Sequence, residues 1–431
     1  MSHRELIAGL DVGTTKICAV IAEVVSDTPG QPGTSQAQAS SPIPNVLGVG
    51  ISPCVGLRKG VVIDIDATTA AIQDAVRRAE RMAGEQIHSV VVGVTGEHIA
   101  CLNSRSVIAI SHPGREISSS DMDRLMDAAQ VLILPPDREI IHAIPRWFSV
   151  DGQVGVATPV GMHGNRLEVE THIVTGLSSF IQNVVKCVHQ AGLAVDSTVL
   201  EPIATGESVL LPAEMDLGVA VADIGGGTTD VAVYVGGRIY HSCVVPVGGN
   251  HVTRDIAIGL RADIEESERV KIEYGCAMTA ALGDAAAFDV TSMGSNVPRH
   301  LPQRVLAEII EPRITELCTL IMRELDKAGC RDRVPAGLVF TGGGSLMPGL
   351  PELATRITGL AARVGAPSGV IGLVDAVGDP SCATAVGLVL FTSRFQAKQG
   401  IEKGLHSWIS MLMDSDVVRK IKGLVTRFTG N

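Results

Sequence analysis

Aromatic residues are scarce in this chain of 431 residues, at 3% of the total. A surface of stacked rings for single-stranded nucleic acid is therefore not expected. Positive charge is in deficit: 35 Lys and Arg face 46 Asp and Glu, and the formal net charge is −11. That balance argues against non-specific binding along a phosphate backbone. The nine cysteines are scattered and none sits in a C-x-x-C pair. A zinc ribbon and a disulfide framework both fit poorly, and the thiols read as reduced. The start, Met1-Ser2-His3-Arg4-Glu5, lacks the apolar stretch and cleavage site of a secretory signal. No apolar run approaches the ~18 residues needed to cross a bilayer. The chain reads as soluble, or as lying on a membrane surface. There is no G-x-x-x-x-G-K-[ST], no strand–G-x-G-x-x-G–helix fingerprint, no H-E-x-x-H and no G-x-S-x-G. P-loop, Rossmann, zincin and hydrolase-elbow chemistry are disfavoured accordingly.

Hydrophobic residues make up 45% of the chain and glycine is abundant at 47. There is ample apolar material for packed cores, and at about 150 residues per domain the length suggests two to four domains. The most informative feature is an internal echo. Leu10-Asp11-Val12-Gly13-Thr14-Thr15-Lys16-Ile17 near the start is answered by Ala222-Asp223-Ile224-Gly225-Gly226-Gly227-Thr228-Thr229-Asp230-Val231. Each reads as a strand, an aspartate, a glycine/threonine turn and a second β-branched strand. The pattern suggests two related halves, since there is no short regular period. A third glycine cluster, Thr341-Gly342-Gly343-Gly344, ends the apolar run Gly337–Phe340.

Between these landmarks, residues 26–45 read as a polar surface insertion. Residues 68–83 carry Ile72, Ala75, Val76, Ala79, Met82 and Ala83 at helical spacing. Ser120 and Asp123 suggest a capping box opening a helix. Strands are expected over 88–110, 138–150 and 167–175, and a helix-rich stretch over 251–330, interrupted by a loop near 292–298. Strands alternating with helices make the fold class α/β.

Glycine-rich turns let backbone N–H groups approach an anion closely, threonine hydroxyls add donors, and Lys16 adds a point charge. Asp11 and Asp223, each ending an incoming strand, suit Mg²⁺, which keeps several waters and takes one or two carboxylates. Two facing turns would clamp a nucleoside triphosphate from both sides. Taken singly, each turn is equally an ordinary hairpin.

The C-terminal residues 417–428 read VVRKIKGLVTRF. At about 100° per residue Val417, Ile421, Leu424 and Phe428 share a line, flanked by Val418 and Val425. Arg419, Lys420, Lys422 and Arg427 occupy the other side. A basic amphipathic helix on an acidic protein points to anionic lipid headgroups. Docking of this helix on its own domain is the alternative. Leu405, Trp408, Ile409 and Leu412 could add an earlier interfacial turn.

The two turns and the T-G-G-G cluster, in this order over nearly the whole chain, resemble the actin/Hsp70/sugar-kinase ATPase superfamily. Within it the chain is most similar to the bacterial FtsA cell-division family, through GLDVGTTKI, the domain between the turns and the basic tail. The resemblance implies an actin-like fold of duplicated, ribonuclease H-like lobes with an inserted small α+β domain. Domain 1A is expected over 1–85, 167–205 and 385–395, inserted domain 1C over 86–166, domain 2A over 206–250 and 335–384, and domain 2B over 251–334. A linker over 396–415 and a membrane-targeting helix over 416–431 follow.

The same resemblance implies roles for individual residues. Gly13, Thr14, Thr15 and Lys16 match a first phosphate turn, and Gly225, Gly226, Gly227, Thr228 and Thr229 a second. Asp11 and Asp223 match Mg²⁺-facing carboxylates. Gly342, Gly343, Gly344 and Met347 match an adenosine turn. Glu268 and Lys271 match positions touching ribose and base, and equally form a plain i,i+3 ion pair. Glu201 is the candidate general base of a weak ATPase, or a plain helix-start carboxylate. The segment 248–253 reads as a structural loop.

The implied function is an ATP- and Mg²⁺-binding scaffold that polymerises on the inner face of the cytoplasmic membrane. It would tether the tubulin-like protein FtsZ, through that protein's C-terminal peptide on domain 2B, and recruit later division proteins. Arg304 is the candidate contact for the peptide, with a surface ion pair as the alternative. The rival function on this fold is a small-molecule, sugar-type kinase, for which no distinctive catalytic aspartate stands out. A chaperone would need a peptide-binding β-domain after the ATPase region, and none follows.

Overall fold

The computed structural model describes residues 3–26, 43–110, 115–283, 286–294 and 297–394. The candidate membrane residues Val417, Val418, Arg419, Lys420, Ile421, Lys422, Leu424, Val425, Arg427 and Phe428 lie outside them, as does most of the 26–45 insertion.

The echo in the sequence is an echo in topology. The first lobe is built on a six-stranded sheet. Strands His3–Val12, Lys16–Ser26 and Asn45–Pro53 form an antiparallel meander. The chain crosses over through helix Ile65–Ala83 to strand Ser89–Val94, parallel to the first, and strand Ala194–Leu200 extends the sheet. The second lobe repeats this order in five strands. Val219–Ile224, Thr229–Val235 and Arg238–Val245 form the meander, and Leu338–Thr341 and Ala362–Val364 add in parallel.

Helix Ile65–Ala83 shows why the first lobe closes. Asp64 caps it, its Oδ1 accepting from Ala67 N at 2.9 Å, and Gly84 ends it at φ 71°. Ile72, Ala75, Val76 and Ala79 are buried as the spacing predicts, whereas Met82 turns outward at 51% exposure. The helix sits against the strand backbone because Gly48 and Gly50 carry no side chain. A Cβ on Gly50 would lie 1.9 Å from the Ala75 carbonyl oxygen, and one on Gly48 2.2 Å from that of Ala79. The other face of the sheet is covered by helix 383–394, whose Ala385, Val386, Val389 and Leu390 pack with Cys18, Val20, Ala22 and Val46.

The inserted unit is a four-stranded sheet, ordered Ala100–Ala109, Arg166–Leu177, Arg138–Val150, Gln153–Val156. Helix Ser119–Gln130 packs Leu125 and Ala129 onto its Phe148, Val150, Leu167 and Val169. Its edges differ from the expected 86 and 166. Strand Ser89–Val94 belongs to the first-lobe sheet, and Arg166–Leu177 pairs on both sides within the insertion. Apolar runs of similar length serve both sheets, so pattern alone could not assign them. The capping box lies two residues earlier than expected. Ser118 is the N-cap, and the Asp121 carboxylate accepts from the Ser118 N–H at 2.9 Å.

The second lobe carries helices Gly249–Leu260, Ile264–Tyr274 and Gln303–Lys327 around a large apolar core. The loop expected near 292–298 joins the strands of a hairpin, Ala287–Thr291 and Pro298–Pro302. Among the described residues no helix is long and apolar enough to cross a membrane.

Candidate functional site

Both glycine/threonine turns are closed in the same way. The Gly13 N–H donates to Lys16 O at 3.0 Å, and the Gly225 N–H donates to Thr228 O at 3.0 Å. The turns meet across the gap between the lobes. A Cβ on Gly226 would stand 2.4 Å from Thr15 Cγ2, and one on Gly227 3.0 Å from Thr14 Oγ1. Helix Gly249–Leu260 seats its first turn on the second elbow, with the Gly249 and Asn250 N–H groups donating to Gly225 O and Gly226 O at 2.9 and 2.8 Å. The segment 248–253 is thus structural, and it also lines the cleft.

The third cluster closes the rear. Gly342 sits at φ 78°, and a Cβ there would lie 2.1 Å from Asp223 Oδ1, so only glycine fits. Gly343 is different: a Cβ there would meet nothing nearer than Ser381 Cβ at 3.9 Å. Together the three clusters enclose a cavity of about 420 Å³.

Its wall contains Asp11, Gly13, Thr14, Thr15, Lys16, Glu201, Asp223, Gly225, Gly226, Thr228, Glu268, Lys271, Gly342, Gly343, Gly344 and Met347. Two of the expected residues are not on it. Gly227 faces Lys59 and Thr14, and Thr229 is fully buried with its hydroxyl donating to Val247 O at 2.7 Å. Residues alternate sides along a strand, so Thr228 and Asp230 face the cleft and Thr229 faces away. Arg304 lies elsewhere, exposed on helix Gln303–Lys327 and paired with Glu308 at 3.3 Å. Glu268 and Lys271 form the i,i+3 ion pair, at 2.6 Å, and it stands in the cavity wall, where Lys271 also reaches Thr253 Oγ1 at 2.9 Å.

The floor is acidic. Burial lifts Asp11 to about 7, against the pull of Lys16 and with a push from Asp223. Burial likewise lifts Asp230 to about 7 despite a hydrogen bond from the Thr95 hydroxyl. Glu201 is pushed well above the usual carboxylate range by burial, then by Asp11, Asp230 and Asp223. Asp223 is raised by burial too, opposed by hydrogen bonds from Thr384 at 2.8 Å and Thr205 at 3.1 Å. Against these four carboxyls Lys16 donates to Ser381 O, and the buried Glu201 Oε1 has no partner. Desolvated carboxyls without enough cation either keep protons or take up a metal ion. Among the described residues no three His, Cys, Asp or Glu converge to cage an ion directly. A hydrated divalent ion fits that donor set.

Asp230 and Thr95 escaped the sequence reading, as did Thr384 and Asn250, which also line the cavity. Asp230 had a signal: it lies opposite Asp223 in the hairpin register. Thr95 and Thr384 arrive from distant parts of the chain and had none.

Comparison with known proteins bears on this cleft. A family profile described as "Cell division protein FtsA" matches residues 220–387, and one described as "SHS2 domain inserted in FTSA" matches 96–175. The FtsA of Pseudomonas aeruginosa is 43% identical over 387 residues, covering 90% of this chain and 89% of its own. The FtsA of Neisseria meningitidis serogroup B is 41% identical, with 90% of each chain covered. That of Escherichia coli is 35% identical over 424 residues, covering 95% and 97%. Among solved structures, a PilM–PilN type IV pilus biogenesis complex superposes with a TM-score of 0.63 at 18% identity, over 90% of this chain and 98% of the other. MreB 5 of Spiroplasma citri bound to AMPPNP superposes at 0.50 and 15% identity, over 93% and 99%. These two likenesses establish a shared actin-like fold.

Proposed function

The chain belongs to the FtsA family of cell-division proteins, and from that membership and its cleft we propose that it is an ATP-dependent scaffold of the division site. ATP lies across the cavity, its phosphates between the N–H groups of the two turns and its adenosine toward Gly343, Met347 and the Glu268–Lys271 pair. The observation that carries this reading is the contact of Thr15 with Gly226 above one shared cavity. A ligand that both turns grip more tightly when the lobes are closed favours closure.

Asp11 and Asp223 would hold Mg²⁺ through its water shell, and the ion would supply charge neutralisation at the phosphates. Lys16 stands in the cavity wall beside the acids and would donate to the phosphates. Glu201 would accept a proton from the attacking water. Burial and the neighbouring acids favour its protonated form, which cannot take a proton from water until a cation draws the charge out, and this supports slow turnover and a switch rather than a fast ATPase.

Polymerisation would array many basic tails along one membrane face, so that weak single anchors add through multivalency. FtsZ, through its C-terminal peptide, is the partner expected on the second lobe's helical part, with Arg304 as a contact, and later division proteins would be recruited to the assembled scaffold. The sugar-type kinase is not favoured, since the relatives covering nine-tenths of the chain are cell-division proteins.

Asp223→Ala tests the site: Mg²⁺-dependent ATP binding, followed by calorimetry, is expected to vanish. Unchanged affinity refutes the assignment. Sedimentation with anionic liposomes, comparing the full chain with one ending at Ser415, tests the anchor. Equal pelleting of the two refutes it.

A further inference from the structure

A second, smaller cavity, of about 200 Å³, lies on the other side of the contact between the turns. Thr14 and Asn250 line both cavities. The partition is the close approach of Gly227 to Thr14, where a Cβ would stand 3.0 Å from the hydroxyl. In a chain with a net charge of −11, the lining of this space is basic. Arg58 and Lys59 come from the hairpin Leu57–Arg58/Val61–Val62 of the first lobe, and His251 and Arg254 from helix Gly249–Leu260 of the second.

These side chains are set up unequally. Lys59 is held at φ 51°, and its ammonium pairs with Glu97 at 2.5 Å. The adjacent Gly60 N–H donates to Thr14 Oγ1 at 3.1 Å, tying the hairpin tip to the first turn. His251 Nδ1 accepts from the Gly248 N–H at 3.1 Å, which fixes the ring and leaves Nε2 as its other polar atom. Burial disfavours its protonated form, and Arg313, Lys59 and Arg254 push the same way. Arg58 and Arg254 are exposed and make no hydrogen bond or ion pair among the described residues.

We propose that this second cavity is a binding site for orthophosphate, gripped from the first lobe by Arg58 and Lys59 and from the second by Arg254 and His251. Guanidinium groups present forked donors that match tetrahedral oxyanions. An anion held there bridges the lobes at a point separate from the triphosphate and adds to whatever closes them. The site itself stands on its own geometry. Only its use as a companion to ATP rests on the reading of the main cavity.

The test is a phosphate titration of the full chain at constant ionic strength, followed by ³¹P line broadening, with AMPPNP filling the main cavity. Saturable binding is expected, competed by sulfate and not by acetate. R58Q and R254Q, made singly, are each expected to weaken phosphate by about tenfold, the loss of one charge-assisted contact, and to leave AMPPNP affinity, measured without phosphate, within about twofold. Neither side chain supports another residue, so folding is preserved. Phosphate affinity unchanged in both variants overturns the proposal. So does binding that disappears when AMPPNP is present, because phosphate then occupies only the main cavity. Equal competition by acetate overturns the oxyanion assignment. If AMPPNP does not bind at all, the main-cavity reading fails, and the variants titrated without nucleotide still decide the second site.

Discussion

Nucleotide binding with Mg²⁺ is expected to tighten as the solution becomes more alkaline, because the cavity floor holds protons that a cation must displace. Asp11 and Asp230 both titrate at about 7, raised chiefly by burial. A carboxyl titrating there is ionised in about one molecule in eleven at about pH 6 and in about ten in eleven at about pH 8. If binding requires one of them ionised, affinity rises roughly tenfold across that span, and if both, roughly a hundredfold. The assay is an AMPPNP titration with Mg²⁺ at fixed ionic strength across that range, run on the native chain and on Asp230→Asn. The nucleotide's own titration is common to both chains and cancels in their ratio. That ratio is expected to climb about tenfold from about pH 6 to about pH 8. A flat ratio would show that Asp230 is not a titrating partner of the bound ion. The nucleotide-free protein is expected to trend oppositely. Raised carboxyl pKa values favour the folded state at acid pH. This stabilisation is full below about 4, fades as pH rises, and is gone above about 7. The melting temperature without nucleotide should therefore fall from about pH 6 to about pH 8, with added Mg²⁺ and nucleotide offsetting the loss.

Gly343→Val is expected to abolish nucleotide binding with little change in melting temperature, since a side chain there enters only the cavity. Gly342→Ala should instead destabilise by about 1–3 kcal/mol in denaturant titration, because its Cβ collides with Asp223 and φ is positive. His172→Leu should cost about 1–3 kcal/mol by the same assay and loosen the inserted domain. The fully buried His172 bridges Asn103 in the insertion to Ser242 in the second lobe at 2.9 Å each, and its loss leaves the buried Ser242 hydroxyl with Cys101 Sγ at 3.1 Å as its remaining contact.

The paired glycine/threonine turns were legible because their pattern is local. An aspartate, a glycine turn and threonines fall within ten residues, and the duplication announces that two such turns belong together. What was not legible depends on pairing and crossover. Gly227 and Thr229 lie inside the second motif, yet alternation along the hairpin turns them from the cleft. Thr95 reaches Asp230 only because the inserted domain departs where Ser89–Val94 ends beside the second turn. The edges of that domain were misplaced by one strand at each end, since strand-forming runs do not state which sheet they will join. The Glu268–Lys271 spacing announced an ion pair, and only the fold shows that this pair stands in the cavity wall.

The lobes are joined where two helices cross, and that junction is wired to the cleft. Helix Glu201–Val209 leads from the first lobe into the second, and helix 383–394 returns to the first. They touch backbone to backbone: a Cβ on Gly387 would stand 1.9 Å from the Ala204 carbonyl oxygen. Beside this contact Thr205 and Thr384, one from each helix, lie 2.9 Å apart and both reach the carboxylate of Asp223. Any cation drawn to Asp223 therefore acts on both connections at once, which gives the nucleotide a short route to the angle between the lobes. Gly387→Ala pries the helices apart without touching the cavity wall. It is expected to cost about 1–3 kcal/mol in stability and to weaken ATP although no nucleotide contact is altered. Thr384→Val is the complementary change, removing one hydrogen bond to Asp223 at nearly constant volume. If Gly387→Ala lowers stability and leaves nucleotide affinity as it was, the junction is only a joint, and closure must be set by the turns alone.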